Sequence, residues 1–176
     1  MISQMGEMVK ILQWNAQGVS TSKKDLLKTI EKHEPGIIEI QETFLANFTV
    51  KVKRYSSYCK QGNVNRRYHG GVATYVHESI PTERLIIELH FQVVAMRVNI
   101  KKNLTITIAN TYLPGSTNFV RGEMCRIINS LPNPKILVGD FNAHNTVWGN
   151  ECMDRRGTRL ECDEQWFGYT YVGDCD

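Results

Sequence analysis

Residues 135–142 read Lys-Ile-Leu-Val-Gly-Asp-Phe-Asn. An apolar run (KILV) passes without a break into Gly139, Asp140 and Asn142. A run of this length suits a buried strand and is too short for a helix, so the strand ends where the polar residues begin. Three other segments share this grammar. Val9–Trp14 (VKILQW) delivers Asn15, Gly36–Ile40 (GIIEI) delivers Gln41-Glu42-Thr43, and Leu104–Thr111 (LTITIANT) delivers Tyr112. In layered α/β folds such strand ends converge on one rim, where side chains distant in sequence meet in a cleft.

Working outward, Ser22 precedes Asp25 by three, the spacing of a capping box, and Leu26, Leu27 and Ile30 give one apolar helical face that Pro35-Gly36 ends. From Lys51 to Ile108 the pattern is strand after strand: Val72–Val76 after Gly70-Gly71, Arg84–Leu89, Val93–Ile100 and Leu104–Ala109. Helical spacing returns at Val120, Met124, Ile127, Ile128 and Leu131, before Pro132. A β–α–β opening, sequential strands and a late α–β unit predict a mixed α/β sandwich, not a purely parallel doubly wound sheet.

The chain has 176 residues, 41% of them hydrophobic, with no repeat or linker, so one domain is expected. Gly and Pro, at 13 and 5, are too few for a disordered or collagen-like chain. The net charge of +3 permits nucleic-acid binding without arguing for it. The opening residues have no basic or apolar signal region, and no window approaches the roughly 18 apolar residues of a membrane span. The five cysteines form no CxxC pair and read as free thiols of a reducing compartment. A soluble intracellular protein is the expectation.

Glu42 and Asp140, with Asn15 and Asn142, form an all-oxygen set, which suits Mg²⁺ or Mn²⁺ rather than zinc. A cation there would neutralise charge on a phosphate under attack. Taken singly, each residue has a plainer explanation: a solvated glutamate, a core tyrosine, a Gly-Asp-Asn turn. Recurrence at four strand ends is what favours chemistry.

WNAQG at 14–18, QET at 41–43, GGVATYV at 70–76, NTYLP at 110–114 and GDFNAHNTVWG at 139–149 occur in that order. Together they resemble the endonuclease/exonuclease/phosphatase superfamily, most closely the apurinic-like endonuclease domain of jockey-type non-LTR retrotransposons. The similarity runs from about Val9 to about Leu160. It implies a four-layer α/β sandwich, two packed β-sheets flanked by helices, as a single domain over 1–176 that is expected to be incomplete after about residue 160, with its C-terminal strands missing. It also implies Mg²⁺-dependent (or Mn²⁺-dependent) nicking of double-stranded DNA in the nucleus, with no membrane involved and with a reverse transcriptase in a longer parent protein.

By that resemblance Glu42 is a metal ligand with Asn15 beside it, and Tyr112 contacts the scissile phosphate. Asp140 aligns and deprotonates the attacking water, and Asn142 positions it. Arg155 and Arg156 are the expected contacts to the DNA backbone, while His144 is expected to bond locally. The pattern departs after about residue 160: the closing Ser-Asp-His of related domains does not occur in this sequence, and the expectation is therefore of impaired activity. Two other classes remain open. His144, Cys152, Cys162 and Cys175 could hold a structural zinc, although their spacing is irregular, and the chain could be a non-catalytic nucleic-acid-binding remnant of a mobile element.

Overall fold

Isoleucines and valines that alternate between two apolar surfaces build the centre of the molecule. The computed structural model describes residues 8–45, 50–62, 70–87, 92–115 and 121–161. The chain divides into two units, residues 1–112 with 133–140 and residues 113–132 with 141–176.

The first unit holds two four-stranded sheets. One contains β1 (Ile11–Asn15), β2 (Ile37–Gln41), β3 (Tyr55–Lys60) and β4 (Val72–His77), in the order β1-β2-β4-β3. The other contains β5 (Thr82–Leu85), β6 (Gln92–Lys101), β7 (Leu104–Tyr112) and β8 (Lys135–Asp140), in sequential order. The pairs β1–β2 and β7–β8 are parallel, each bridged by a crossover, and the rest are antiparallel. This is the mixed sandwich that the alternation of strand and helix patterns predicts.

Helix α1 (Val19–His33) covers the first sheet: Val19, Leu26 and Ile30 pack with Ile38, Ile40, Ala73 and Tyr75. The opposite face of that sheet supplies Ile37, Val72 and Val76, which meet Val94, Met96, Val98, Ile108 and Tyr112 of the second sheet. Burying each large aliphatic side chain contributes roughly 1.5–3 kcal/mol. The second unit carries α2 (Arg121–Ser130) and α3 (Arg155–Glu161).

Three local outcomes differ from the sequence reading. Helix α1 begins a turn earlier, at Val19, behind Gly18 and without a side-chain cap. Ser22 lies inside the helix, its hydroxyl donating to the Ala16 and Gly18 carbonyls, so no capping box forms. Strand β3 (YSSYCK) is more polar than the runs picked out by alternation, and α3 had no expected counterpart. Part of the expected strand Arg84–Leu89 and the tail from residue 162 lie outside the described residues.

One carboxyl sits in the space between the sheets. Glu39 on β2 is fully buried and accepts from Thr74 Oγ1 at 2.5 Å, while its Oε1 has no hydrogen-bond partner among the described residues. Burial pushes its pKa up from 4.5 to about 8, against the smaller opposing effects of Thr74 and then Asn110. Over that window the folded chain keeps a proton that the unfolded chain releases, so stability falls as pH rises from about 4.5 to 8. The loss reaches the order of 3 kcal/mol by pH 7. Glu39→Gln, which cannot ionise, is expected to flatten the decline in Tm between pH 5 and 8. An unchanged slope in thermal melts would show that Glu39 titrates normally.

Candidate functional site

Asn15 ends β1, and from there the chain turns through Gln17 and Gly18 into α1. That turn is sewn to the segment following β2: Ala16 N–H donates to the Gln41 carbonyl at 3.0 Å, Gly18 N–H to Glu42 at 2.8 Å and Val19 N–H to Thr43 at 3.2 Å. On the other side, Thr43 and Phe44 N–H donate to the carbonyls of Gly71 and Gly70 at 3.2 and 2.9 Å. Glu42 is thereby held at φ +51°, a left-handed conformation that costs a non-glycine residue about 1–2 kcal/mol. The backbone bonds on both sides offset that strain and fix where the half-buried carboxylate points.

Asp140 ends β8 beside Tyr112, its register partner on β7. The strands approach so closely at this point that a Cβ on Gly139 would lie 1.8 Å from the Thr111 carbonyl oxygen. Glycine is required there, and it sets Asp140 on the rim. Tyr112 is buried, its ring part of the cluster between the sheets.

One amide joins the two sheets at this rim. Asn15 Nδ2 donates to Asp140 Oδ2 at 2.6 Å and to Glu42 Oε1 at 3.1 Å. Its orientation follows from its other end, where Oδ1 accepts the Gln17 N–H at 3.2 Å. The Gln17 N–H can only donate, so the amide oxygen must face it and the NH₂ must face the two carboxylates. Asn15, Glu42, Asp140 and Tyr112 are therefore brought together in the first unit. The Asn15 oxygen faces Gln17 and not the acids, so a direct ligand role for Asn15 requires its amide to turn.

Two carboxylates sharing one neutral donor repel each other, and a divalent cation is the natural relief. Mg²⁺ is commonly held by one or two carboxylates, with waters and substrate phosphate completing its shell. The donor set fits that demand, with Glu42 as the carboxylate that would hold the ion and Asp140 beside it. Among the described residues no group of three or more His, Cys, Asp and Glu is placed to hold a metal.

The second unit has its own knot. Asn142, exposed at φ +46°, donates through Nδ2 to the Leu113 carbonyl at 3.3 Å. His144 Nδ1 lies 3.0 Å from Asp154 Oδ2, a local contact of the kind expected for it. Asp154 caps α3 by accepting the Gly157 N–H at 2.6 Å. Burial acts to raise the Asp154 pKa, but the bonds from Gly157 and His144 outweigh it and hold the carboxyl below its usual range. A Cβ on Gly157 would meet the His144 carbonyl oxygen at 1.8 Å, so the helix packs against this loop only with glycine there. An Asp capping a helix three residues before a Gly is the signal that could have located α3.

Arg156 has a different occupation from the phosphate contact expected of it. Its guanidinium donates to the carbonyls of Leu113, Pro114, Gly115 and Phe141 at 3.0, 3.1, 3.0 and 3.1 Å. It braces the segment after β7 against the segment after β8. Arg155, one residue earlier, is exposed. Of the residues considered for zinc, Cys152 is an exposed free thiol, and Cys162 and Cys175 lie outside the described residues. A cavity of about 360 Å³ lined by Pro81, Thr82, Glu83, Arg97, Asn99 and Thr105 lies toward the opposite end of the second sheet and contains none of the site residues.

Two sheets whose strand ends carry paired acids, an amide and a phenol define a class. Residues 12–172 match the Endonuclease/Exonuclease/phosphatase family, and the chain belongs to it. Among curated proteins it is 28% identical over 156 residues to a probable RNA-directed DNA polymerase from transposon BS of Drosophila melanogaster, covering 86% of this chain and 17% of that one. It is 25% identical over 159 residues to the RNA-directed DNA polymerase from mobile element jockey of the same organism, covering 87% and 17%. The chain thus spans about a sixth of the length of these relatives.

Solved structures agree on the fold. The endonuclease domain of TRAS1, a telomere-specific non-LTR retrotransposon, superposes with a TM-score of 0.70 at 19% identity, covering 88% of this chain and 70% of that one. The AP endonuclease LMAP from Leishmania major gives 0.62 at 21%, covering 77% and 56%.

The two neighbouring arginines are expected to separate on mutation. Arg156→Lys, which cannot reproduce a fork across four carbonyls, is expected to lose about 1–3 kcal/mol in denaturant unfolding. Arg155→Ala should remain within about 0.5 kcal/mol of the parent. Equal losses for the two would remove the brace.

Proposed function

We propose that the chain is a divalent-metal-dependent DNA endonuclease of retrotransposon type that nicks double-stranded DNA by hydrolysing one phosphodiester. The observation that carries this reading is the Asn15 amide shared between Glu42 and Asp140, which holds two acids from different sheets at one rim. The names of the curated relatives, RNA-directed DNA polymerases of mobile elements, support a DNA substrate and a reverse transcriptase on the same longer polypeptide; action in the nucleus is part of the same proposal.

Each residue has a task in this reading. Glu42 holds Mg²⁺ or Mn²⁺, which when bound neutralises charge building on the phosphate. Asp140 accepts the proton of the attacking water, and Asn15 keeps that carboxylate oriented through its 2.6 Å bond. Tyr112 offers its phenol to a phosphate oxygen, and Asn142 steadies the water from the loop after β8. Arg155 contacts the DNA backbone without reading sequence. Attack of the activated water on phosphorus forms one P–O bond and breaks another; the leaving oxygen takes a proton from solvent to become a hydroxyl, the phosphate stays on the other fragment, and Asp140 returns its proton to solvent.

The test is conversion of supercoiled plasmid to open circle. Nicking is expected to require Mg²⁺ or Mn²⁺ and to fall by about 10²–10⁴-fold in Asp140→Ala. Arg155→Ala should lower the salt dependence of DNA binding by about one unit of slope. Preferred cleavage of small phosphomonoesters would place the protein elsewhere in its family. DNA binding without cleavage would favour the remnant reading.

A further inference from the structure

Directly beneath the rim lies a second set of amides that the proposed chemistry does not use. Asn110 on β7 is fully buried between the sheets, two residues before Tyr112 and so on the same inward face. Its Nδ2 crosses to the first sheet and donates to the Ala73 carbonyl at 3.0 Å and the Ile40 carbonyl at 3.2 Å. Ile40 and Ala73 are register partners on β2 and β4, so one side chain grips two strands of the facing sheet. Its Oδ1 accepts from Gln41 Nε2 at 2.7 Å, and Gln41 Oε1 in turn accepts from Gln13 Nε2 at 2.7 Å.

The direction of this relay is fixed by its inner end. Carbonyls can only accept, so Asn110 must turn its NH₂ toward Ile40 and Ala73 and its oxygen toward Gln41. Gln41 must then present its own oxygen to Gln13. None of the three amides can flip without breaking a bond, and Gln41 and Asn110 are fully buried while Gln13 is half-buried. Each member stands next to a site residue in sequence: Gln13 two before Asn15, Gln41 one before Glu42, Asn110 two before Tyr112.

We infer that Asn110, acting through Gln41 and Gln13, is a positioning residue that sets the separation and register of the two sheets at the rim, and so the distance between Glu42 and Asp140. The inference rests on the nuclease reading for its consequence in catalysis, and on the hydrogen bonds alone for its consequence in structure. Apolar packing between the sheets is non-directional and tolerates sliding. The relay is directional, and it lies where the acids of one sheet must meet those of the other. Placing a reacting group wrongly by about 1 Å costs of the order of a hundredfold in rate.

The experiment compares the parent chain with Asn110→Ser and with the milder Gln13→Met, which cuts only the outer end of the relay. Backbone hydrogen exchange is followed by mass spectrometry for 15–18 and 41–44 and for the centres of β4 and β6, without metal or DNA. Both variants are expected to speed exchange at the two rim segments by about tenfold or more, beyond any change at the strand centres. In plasmid nicking, kcat should fall about ten- to a hundredfold with KM for DNA within about twofold. Uniform acceleration across all segments would mean that Asn110 only stabilises the fold, and would overturn the inference. Unchanged exchange and kcat in folded variants would overturn it as well. If the parent chain does not nick DNA but the rim still loosens selectively, the nuclease reading fails and the clamp stands.

Discussion

The rim depends on one hydrogen-bond donor. Asn15 Nδ2 reaches Asp140 Oδ2 from one sheet and Glu42 Oε1 from the other. Two acids this close repel, and the geometry is tolerable because a neutral amide between them donates to both while its own oxygen is engaged by the Gln17 N–H. Lysine or arginine in this position would neutralise the acids and leave nothing for a cation to do. An amide orients them and leaves their negative charge in place, which is the condition that a metal-dependent phosphodiesterase requires.

That arrangement constrains the backbone around it. Glu42 is reached only through a left-handed residue pinned on one side by the turn into α1 and on the other by Gly70 and Gly71. Asp140 is reached only through a glycine pressed against Thr111. The sandwich interior is graded to match. Ile37, Val76, Val98 and Ile108 fill the space between the sheets with apolar contact, whereas Glu39, Thr74, Gln41 and Asn110 bring polar side chains into the same layer as the strands approach the rim. Burial of polar groups is tolerated there because nearly all of them are hydrogen-bonded. Of these four, Glu39 is the exception: one oxygen has no partner among the described residues and burial raises the carboxyl pKa to about 8.

Much of this was legible in the sequence. The strand ends at Asn15, Glu42, Tyr112 and Asp140 were visible because an apolar run that stops at a polar residue marks the edge of a buried sheet. Strand β3 was not, since YSSYCK has no clean alternation and is only half covered. The start of α1 was misplaced because Ser22 and Asp25 imitate a capping box, whereas tertiary bonds to the Glu42 and Thr43 carbonyls decide where the helix begins. Arg155 and Arg156 look alike in sequence. Only the fold shows that one side chain is exposed and the other turns onto four carbonyls, because the carbonyls come from segments some 40 and 15 residues away.

The amide relay illustrates the harder case. Gln13, Gln41 and Asn110 are ordinary polar residues within otherwise apolar strands, and period-two alternation alone would send such residues to solvent. Their partners are each other and two backbone carbonyls, and the links span from 28 to 70 residues of sequence. No local pattern encodes a partner at that range. The sequence does carry a weaker signal: each amide sits within two residues of a rim side chain, and the inward faces of their strands also carry aliphatic residues such as Ile37 and Ile108. A polar residue in that position must be satisfied internally or destabilise the sheet that presents the site. The same reasoning separates polar residues that face water from those that hold two sheets in register, and it requires only knowing which way each strand faces.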